Sequence, residues 1–533
     1  MMERSETGLS ARETLWLWLA LASIALALRI ALALHPGLWV DEIFSLAMAT
    51  GHSLEHPAEA ADPARGDYVE PRDAQAASVF NRYLQHDTPP AGPIRVIRAV
   101  TLSDTSPPLY YLLLNVWTRV AGTSDAALRL CSVVSAMACF PLLWSLGTRL
   151  GGRRTAWAAC VLFACSPLAI YYSTEGRMYS LTWLLALLIA WSTVALTERG
   201  PRVHLLCLWV LASAGGLLTH YFLVFVLAPC VAWMLLYPTK ISRSHIVSVI
   251  ATTTVVVSPW YMGLPETLGR WRVTNGWLDH PLAWQDVVIN PVVLAWNYVS
   301  VSGVWGRSPL GNVLILAVCA SLCILAVRAA RGELFSRPPQ LLWLWVLGST
   351  LGPVALDVLR GTNTSAVTRY ALPGLPAAIL LLALALSHVS LRAYAAFLVL
   401  IPLVWTIGLR QVYREPSRPW EPFSLVSNRV SAEAGPTDLV IVHSIPSGVI
   451  GVARYMNTAT PIASWVVQLK QRQMPDDMER LVAGHNRVFL VKIHDLGEPS
   501  PAENWLSQNW HRASPAGGPT DFFVSAFSRR AAR

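Results

Sequence analysis

Residues 155–197 read TAWAACVLFACSPLAIYYSTEGRMYSLTWLLALLIAWSTVALT, and this stretch decides the fold class. Two apolar runs, 155–173 and 178–197, flank a short turn that carries the only charged side chains of the stretch, Glu175 and Arg177. A helix needs about 20 mostly apolar residues to cross the hydrocarbon core of a bilayer. The stretch therefore predicts two membrane-spanning helices joined by a polar turn.

The same pattern continues through most of the 533 residues. Hydrophobic residues make up 54% of the chain and charged residues 14%, against about 25% charged in soluble proteins. This composition excludes a disordered chain, a small disulfide scaffold and an ordinary soluble enzyme. It predicts a mainly α, polytopic membrane protein with about eleven transmembrane helices, at residues 14–34, 126–148, 155–173, 178–197, 203–219, 221–237, 244–262, 309–328, 340–357, 370–388 and 391–409.

The net charge of +9 indicates orientation in the membrane. Cytoplasmic loops of membrane proteins carry an excess of Lys and Arg. No basic cluster is interleaved with aromatic residues, so we expect no nucleic-acid partner. The first span lacks a small-residue cleavage site, so we expect an uncleaved helix with a cytoplasmic N-terminus. The loops predicted to be cytoplasmic contain Arg149, Arg153, Arg154, Arg199, Arg202, Lys240, Arg243, Arg328, Arg331, Arg337 and Arg392.

One apolar segment, 107–120 (PPLYYLLLNVWTRV), has a helical pattern but is short. If it crossed the membrane, the basic loop 149–154 would lie outside, against the charge rule. We therefore predict a juxtamembrane helix in the outer interface, with Tyr110, Tyr111 and Trp117 at headgroup level. A short true span is the alternative.

The chain changes character near residue 410, where charged residues, Pro and Ser increase. Alternating strand and helix patterns there predict a small α/β domain. We divide the chain into a transmembrane domain over 1–410, which includes an outer loop at 35–125, and an α/β domain over 411–533. Residues 52–100 within the loop are polar and are expected to be partly mobile. The predicted strands are 438–444, 487–493 and 521–527, and the predicted helices are 447–456, 476–484 and 501–510.

All eight Cys lie in apolar runs, which predicts neither a disulfide framework nor a Cys-based metal site.

Several ionisable and aromatic residues fall on the outer side in this topology. Each has a local explanation: acids suit a helix N-terminus, a Ser or Asp caps a Pro-led helix, and an Arg at a span entrance snorkels. Together, however, they suit a site that needs a base for a neutral nucleophile and positive charge for a phosphate leaving group. These candidate site residues are Asp41, Glu42, Asp104, Glu175, Arg177, His220, Tyr221, Arg369 and Tyr370.

Five motifs in this order resemble those of a known family. They are VDEIFS (40–45), DTSPPLYYLLLNVW (104–117), YYSTEGRMYSLTWLLAL (171–187), THYF (219–222) and TRYALP (368–373). The combination is similar to the GT-C fold glycosyltransferases of family 39, the dolichyl-phosphate-mannose protein mannosyltransferase-like group, which includes the bacterial aminoarabinose-lipid A transferases. The resemblance covers roughly residues 14–390.

The resemblance implies a membrane transferase that uses a polyprenyl-phosphate-linked sugar on the periplasmic or lumenal face. Asp41 matches the family's catalytic Asp, and Glu42 matches its usual acidic neighbour. The family usually has His before the Pro-Pro pair, where this chain has Ser106, which cannot carry charge near neutral pH. The other matches are Asp104, Glu175, Arg177 and Arg369.

We therefore expect an inverting hexosyl or pentosyl transferase with Asp41 as general base. The catalytic set is Asp41, Glu42 and Glu175, and the substrate-binding set is Asp104, Arg177, His220, Tyr221, Arg369 and Tyr370. No cofactor is required, and a divalent cation held by Asp41 and Glu175 is left open.

The expected partners are a polyprenyl-phosphate-sugar donor, membrane lipids and an acceptor that is a glycan, a lipid or a protein. The expected location is a bacterial inner membrane, with the α/β domain in the periplasm. A transporter or lipid-linked sugar flippase is the main alternative, and a sensor or scaffold is a third class. Against transport, the sequence shows no internal repeat, and the ionisable groups cluster at helix ends.

Overall fold

The structure is a computed structural model of the chain, and it describes residues 11–56, 61–104, 106–237, 240–270, 278–301, 308–330, 332–414, 421–466, 469–494, 500–514 and 517–529. Helices dominate these ranges, which confirms the mainly α prediction: α1 Ala11–Ala33, α2 Val40–Thr50, α3 Ala77–Asn81, α4 Pro93–Ser103, α5 Leu109–Ala121, α6 Asp125–Cys165, α7 Pro167–Ser173, α8 Tyr179–Arg199, α9 Val203–Leu217, α10 Val224–Leu236, α11 Arg243–Arg270, α12 Trp284–Asn297, α13 Pro309–Ala330, α14 Arg337–Arg360, α15 Leu375–His388, α16 Leu391–Arg414, α17 Phe423–Glu433, α18 Pro446–Tyr455, α19 Asp476–Val482 and α20 Pro501–Asn509. The strands are β1 Leu439–Ser444, β2 Ile462–Val466, β3 Arg487–Lys492, β4 His511–Arg512 and β5 Val524–Ser528.

The chain forms two compact units. The helical unit comprises Met1–Leu34 and Arg129–Pro416, and the mixed unit comprises His35–Leu128 and Ser417–Arg533. The second boundary lies close to the division expected at 410. The outer loop 35–125, in contrast, groups with the C-terminal residues rather than with the membrane helices.

Membrane-spanning helices account for most of the helical unit. Among the described residues, seven helices are long and apolar enough to cross a bilayer, and three shorter helices are also apolar. The chain is therefore a multi-pass membrane protein, while the number eleven stays a prediction. The seven are Arg12–Ala33, Asp125–Cys165, Tyr179–Arg199, Arg243–Leu264, Pro309–Ala330, Pro338–Arg360 and Leu391–Arg414, and the shorter ones are Val203–Leu217, Tyr221–Leu236 and Leu372–His388.

The segment α6 consists of two antiparallel helices packed against each other, since the rings of Phe140 and Phe163 lie 5.4 Å apart and those of Trp144 and Trp157 lie 5.0 Å apart. They correspond to the predicted span 126–148 and to the first part of 155–173. The helical geometry is interrupted between them at Gly152, where φ is 81° and ψ is −175°. A positive φ is readily accessible only to Gly, because Gly lacks a Cβ. The chain therefore reverses direction at the connection predicted at 149–154, and Gly152 lies in this turn.

Arg29 lies within the apolar helix α1 and is fully buried. Its guanidinium donates hydrogen bonds to the carbonyl oxygens of Phe163 (3.0 Å) and Ala164 (3.4 Å), at the C-terminal end of α6. The last carbonyls of a helix lack partners within that helix, and positive charge is favourable there. Arg29 therefore stabilises the end of α6 inside the helical unit.

The mixed unit is built on a five-stranded sheet in the order β2-β1-β3-β5-β4. Strand β1 pairs in parallel with β2 and β3, whereas β5 is antiparallel to β3 and β4. Strands β1, β3 and β5 and helices α18, α19 and α20 confirm the six elements predicted from the sequence. The five-residue β2, the two-residue β4 and the helix α17 were not predicted.

The 52–100 stretch is more structured than expected. It contains α3 and part of α4, and Gln75 exchanges two backbone hydrogen bonds of 2.8 Å with Ile462 of β2. These bonds add Gln75 to the edge of the sheet, so this part of the predicted loop is an ordered component of the mixed unit.

Helix α5 corresponds to the predicted juxtamembrane segment. Its 13 residues span about 20 Å at 1.5 Å per residue, which is less than the hydrocarbon core of a bilayer. Tyr110 and Tyr111 are buried, so the expectation that they face lipid headgroups is not met. The exposed apolar side chains of α5 are Leu113, Val116 and Val120.

Candidate active site

The proposed catalytic acid lies at the start of α2. Pro36 and Gly37 (φ 108°) interrupt the helical geometry after α1, and Trp39 is extended, with φ −105° and ψ 175°. Helix α2 begins at Val40, so Asp41 and Glu42 occupy its first turn. The positive end of the helix dipole stabilises negative charge there.

The two adjacent acids have different environments. Glu42 is completely buried, and its Oε2 accepts a hydrogen bond from the backbone N–H of Trp39 at 3.3 Å. This contact caps the helix. The helix N-terminus expected as a local explanation for these acids is thus present. The Asp41 residue is only partly buried. Asp41 is therefore the more exposed of the two acidic residues.

Asp104 joins two helices of the mixed unit. It follows α4, and its Oδ2 accepts a hydrogen bond of 2.7 Å from the hydroxyl of Tyr111 in α5. Its Oδ1 accepts bonds from the backbone N–H (3.0 Å) and the hydroxyl (3.1 Å) of Ser106. Ser106, where the family usually has His, thus acts locally as a partner of Asp104.

The turn between α7 and α8 buries its charged residues. Glu175 is 4% exposed and Arg177 is 8% exposed. The backbone N–H of Arg177 donates to the carbonyl of Glu175 at 2.8 Å, and the hydroxyl of Ser132 in α6 donates to the carbonyl of Arg177 at 3.0 Å. Buried charged groups are costly, which makes this turn a candidate functional element of the helical unit.

Aromatic side chains connect three of the predicted motifs in the helical unit. The ring centroids of Tyr179 and His220 are 6.3 Å apart, and those of His220 and Tyr370 are 6.4 Å apart. Phe222 stacks on Tyr370 at 4.8 Å. The Arg369 guanidinium lies over the Tyr370 ring at 5.5 Å. We call Tyr179, His220, Phe222, Arg369 and Tyr370 the aromatic cluster.

Two observations concern the surroundings of the predicted substrate-binding residues. Tyr179 and Phe222 were not among the predicted residues, although both lie within the quoted motifs. Tyr221 contacts a different helix from His220, because its hydroxyl accepts a hydrogen bond from Trp260 of α11 at 3.0 Å. The Nδ1 of His220 accepts a hydrogen bond from the backbone N–H of Phe222 at 3.3 Å. His220 therefore also stabilises the local turn that contains it.

The predicted site residues divide between the two units. The mixed unit contains Asp41, Glu42 and Asp104, and the helical unit contains Glu175, Arg177, His220, Tyr221, Arg369 and Tyr370. The expectation that these residues serve one site stays a prediction. Over the described part of the chain, no three His, Cys, Asp or Glu side chains are grouped as a metal site would require.

Comparisons with known proteins agree with the fold. The family model for dolichyl-phosphate-mannose-protein mannosyltransferase matches residues 105–262. The apo crystal structure of ArnT from Cupriavidus metallidurans has a TM-score of 0.53 and 12% identity, over 90% of this chain and 95% of that chain. ArnT from the same organism bound to undecaprenyl phosphate has a TM-score of 0.57 and 11% identity, over 98% and 99%. No curated protein sequence matches this chain.

These likenesses show the fold of the chain. It has the GT-C fold, and the segment that matches the mannosyltransferase family model covers less than a third of its 533 residues. The matched segment includes Glu175, Arg177 and His220, whereas Asp41 and Arg369 lie outside it.

Proposed function

We propose that this protein is an inverting glycosyltransferase that moves a hexose or pentose from a polyprenyl-phosphate-linked donor to an acceptor on the periplasmic face of a bacterial inner membrane. The acceptor is a glycan, a lipid or a protein. The N-terminus is then cytoplasmic and the mixed unit periplasmic, in agreement with the basic loops.

The observation that carries this proposal is the contrast between Asp41 and Glu42. Glu42 is buried and caps α2, whereas Asp41 is partly exposed in the same turn. A general base must reach a substrate proton and must be ionised when it acts. Asp41 meets the first of these requirements, because its residue is partly exposed at the start of α2.

In the proposed reaction, an acceptor hydroxyl oxygen attacks the anomeric carbon of the donor sugar. As the new carbon–oxygen bond forms, the bond from that carbon to the phosphate oxygen breaks. The acceptor proton passes to Asp41, and the bonding electrons leave with polyprenyl phosphate. Attack opposite the leaving group inverts the anomeric configuration.

In this mechanism the residues of the helical unit bind the donor and stabilise its leaving group. Arg177 and Arg369, with His220, stabilise the negative charge that develops on the leaving phosphate. Tyr370 and Tyr221 offer aromatic surfaces and hydroxyls to the substrates. Glu175 and, in the mixed unit, Asp104 orient the sugar or the acceptor.

The comparisons support the choice of donor. The ArnT structure with undecaprenyl phosphate aligns with 98% of this chain, and undecaprenyl phosphate is a polyprenyl phosphate. The matching family model is named for an enzyme that uses a dolichyl-phosphate sugar.

The test is Asp41→Asn, which keeps the size of the side chain and removes the base. The full-length variant is purified into liposomes with radiolabelled polyprenyl-phosphate sugars and an envelope extract from a strain that lacks the protein. We expect the transfer rate to fall by roughly 10²–10⁴, the usual contribution of a general base.

The matched control is Glu479→Gln, which neutralises an exposed acid of α19 and should transfer at the wild-type rate. Transfer by Asp41→Asn at the wild-type rate would refute the base assignment. Movement of labelled lipid across the liposome membrane without any labelled acceptor would instead support the flippase alternative.

A further inference from the structure

Side chains of the mixed unit hold the backbone that leads into α2. The N–H of Gly37 donates to Asp125 Oδ2 at 2.9 Å, and the N–H of Leu38 donates to the Tyr455 hydroxyl at 2.7 Å. The N–H of Val40, the first residue of α2, donates to Glu421 Oε2 at 2.9 Å. Tyr455 and Glu421 follow Asp41 by more than 370 residues in the sequence.

The three acceptors are themselves fixed. The Tyr455 hydroxyl donates to Asp125 Oδ2 at 2.6 Å, so it joins Leu38 to the carboxylate that also holds Gly37. Arg454 donates to Asp125 Oδ1 at 2.9 Å and to the carbonyl of Thr123 at 2.8 Å.

Burial, together with the negative charge of Asp125, raises the pKa of Tyr455. Its hydroxyl therefore stays protonated and can donate to Asp125 while it accepts from Leu38. Glu421 is 7% exposed, and its Oε1 lies 3.5 Å from Nε2 of His494.

These hydrogen bonds lie at the start of α2, next to the proposed catalytic residue Asp41. The first N–H groups of a helix have no partner within the helix, and the groups that accept them fix where the helix begins. Asp41 is the residue after Val40, so the same bonds fix the backbone from which its carboxylate extends. A displacement of about 1 Å of a catalytic group can cost about 10²-fold in rate.

We propose that Tyr455 and Glu421, together with Asp125, are positioning residues for Asp41, so that the C-terminal α/β segment takes part in catalysis by holding the catalytic helix. This inference rests on the proposed function. We call these three residues the α2 clamp. The clamp does not touch the substrate, and it acts only through the start of α2.

The first variant is Tyr455→Phe in the full-length protein, which removes only the hydroxyl. We expect kcat to fall by about 10–100-fold, while KM for the lipid-linked donor changes by less than about threefold, because substrate contacts are retained. The matched control is Tyr68→Phe, which removes another buried hydroxyl of the mixed unit, bonded to Ser464 at 2.8 Å. It should leave kcat unchanged.

A second pair of variants examines Glu421. Glu421→Gln keeps a carbonyl oxygen that can accept the Val40 N–H and should retain most of kcat. Glu421→Ala removes the acceptor and should lose kcat as Tyr455→Phe does. Equal rates for Gln and Ala would overturn the role of this acceptor.

Hydrogen exchange distinguishes a local loss of positioning at the start of α2 from a general loss of stability of the mixed unit. It also gives a readout that does not depend on the proposed function. In Tyr455→Phe and Glu421→Ala, the amides of residues 38–43 should exchange about 10-fold faster, while those of β1 and β3 stay protected. Equal acceleration in β1 and β3, or faster exchange at 38–43 with unchanged kcat, would overturn the positioning role. Wild-type transfer by Asp41→Asn would refute the role of Asp41 as base in the proposed function, while the exchange data would still report on the clamp.

Discussion

At the scale of single residues, adjacent positions in one helical turn take different roles. Successive side chains of a helix point about 100° apart. Glu42 therefore turns back to the Trp39 N–H and into the protein, while Asp41 stays partly exposed. The sequence motif Asp-Glu shows that two acids are present, but it does not show which of them is buried.

This assignment predicts different outcomes for substitutions at Glu42. Glu42→Gln keeps an oxygen that can accept the Trp39 N–H, and we expect transfer within a few-fold of wild type. Glu42→Ala removes the cap and should destabilise the mixed unit by about 1 kcal/mol, in the range found for lost N-terminal caps. The measurements are the transfer rate and the exchange rates of the α2 amides.

A comparison of Glu42→Gln with Asp41→Asn can contradict the capping role of Glu42. If Glu42→Gln lost as much activity as Asp41→Asn while its α2 amides stayed protected, Glu42 would act directly on the substrate.

At the scale of elements, the inner strand β1 contains a buried ionisable residue, His443. His443 is 1% exposed, and it follows Leu439 and Ile441 on the same face of β1. Burial, with a smaller effect of the Lys492 charge, lowers the pKa of His443 to about 4. The folded unit therefore keeps this imidazole neutral at pH values where an unfolded chain would protonate it.

The pH dependence of stability follows from this lowered pKa. Between pH 6.5 and 4 the unfolded chain binds a proton that folded His443 does not, so stability decreases as the pH falls through this window. The loss should approach about 3 kcal/mol, since each unit of pKa difference corresponds to about 1.4 kcal/mol. We expect His443→Leu to reduce this loss, measured by hydrogen exchange of β1 and β3 at pH 7, 5.5 and 4.

The control for this prediction is His511→Gln, at an exposed position of β4. Burial also lowers the pKa of His52 to about 4, so part of the acid sensitivity will persist in every variant. An unchanged pH dependence in His443→Leu would show that His443 does not contribute.

At the scale of the whole molecule, the apolar helices and the basic loops define how the chain is inserted. We predict that Ser242, beside Lys240 and Arg243, lies in the cytoplasm and that Ser514, in the mixed unit, lies in the periplasm. Both side chains are exposed. An impermeant maleimide should label Ser514→Cys in intact spheroplasts, whereas Ser242→Cys should be labelled only after permeabilisation.

The unmodified protein is the control for labelling, because it has eight native Cys in apolar segments. Labelling of Ser242→Cys in intact spheroplasts, with protection of Ser514→Cys, would invert the topology. The proposed site would then face the cytoplasm.

The sequence by itself determined the membrane helices, the outline of the sheet and the motifs that resemble family 39. These are local properties, because the length of an apolar run and the alternation of side chains decide whether a segment spans a bilayer or forms a strand. For the same reason β1, β3 and β5 were predicted, whereas β4, with two residues, was too short to be recognised.

Only the tertiary structure decided which distant segments act together. It grouped 35–128 with the C-terminal residues, and it placed Glu421 and Tyr455 on the backbone that leads to Asp41. It also gathered Tyr179, Phe222 and Tyr370 into one cluster. Contacts of this kind depend on how separate elements pack, and no local pattern encodes them, because each partner has an ordinary sequence environment of its own.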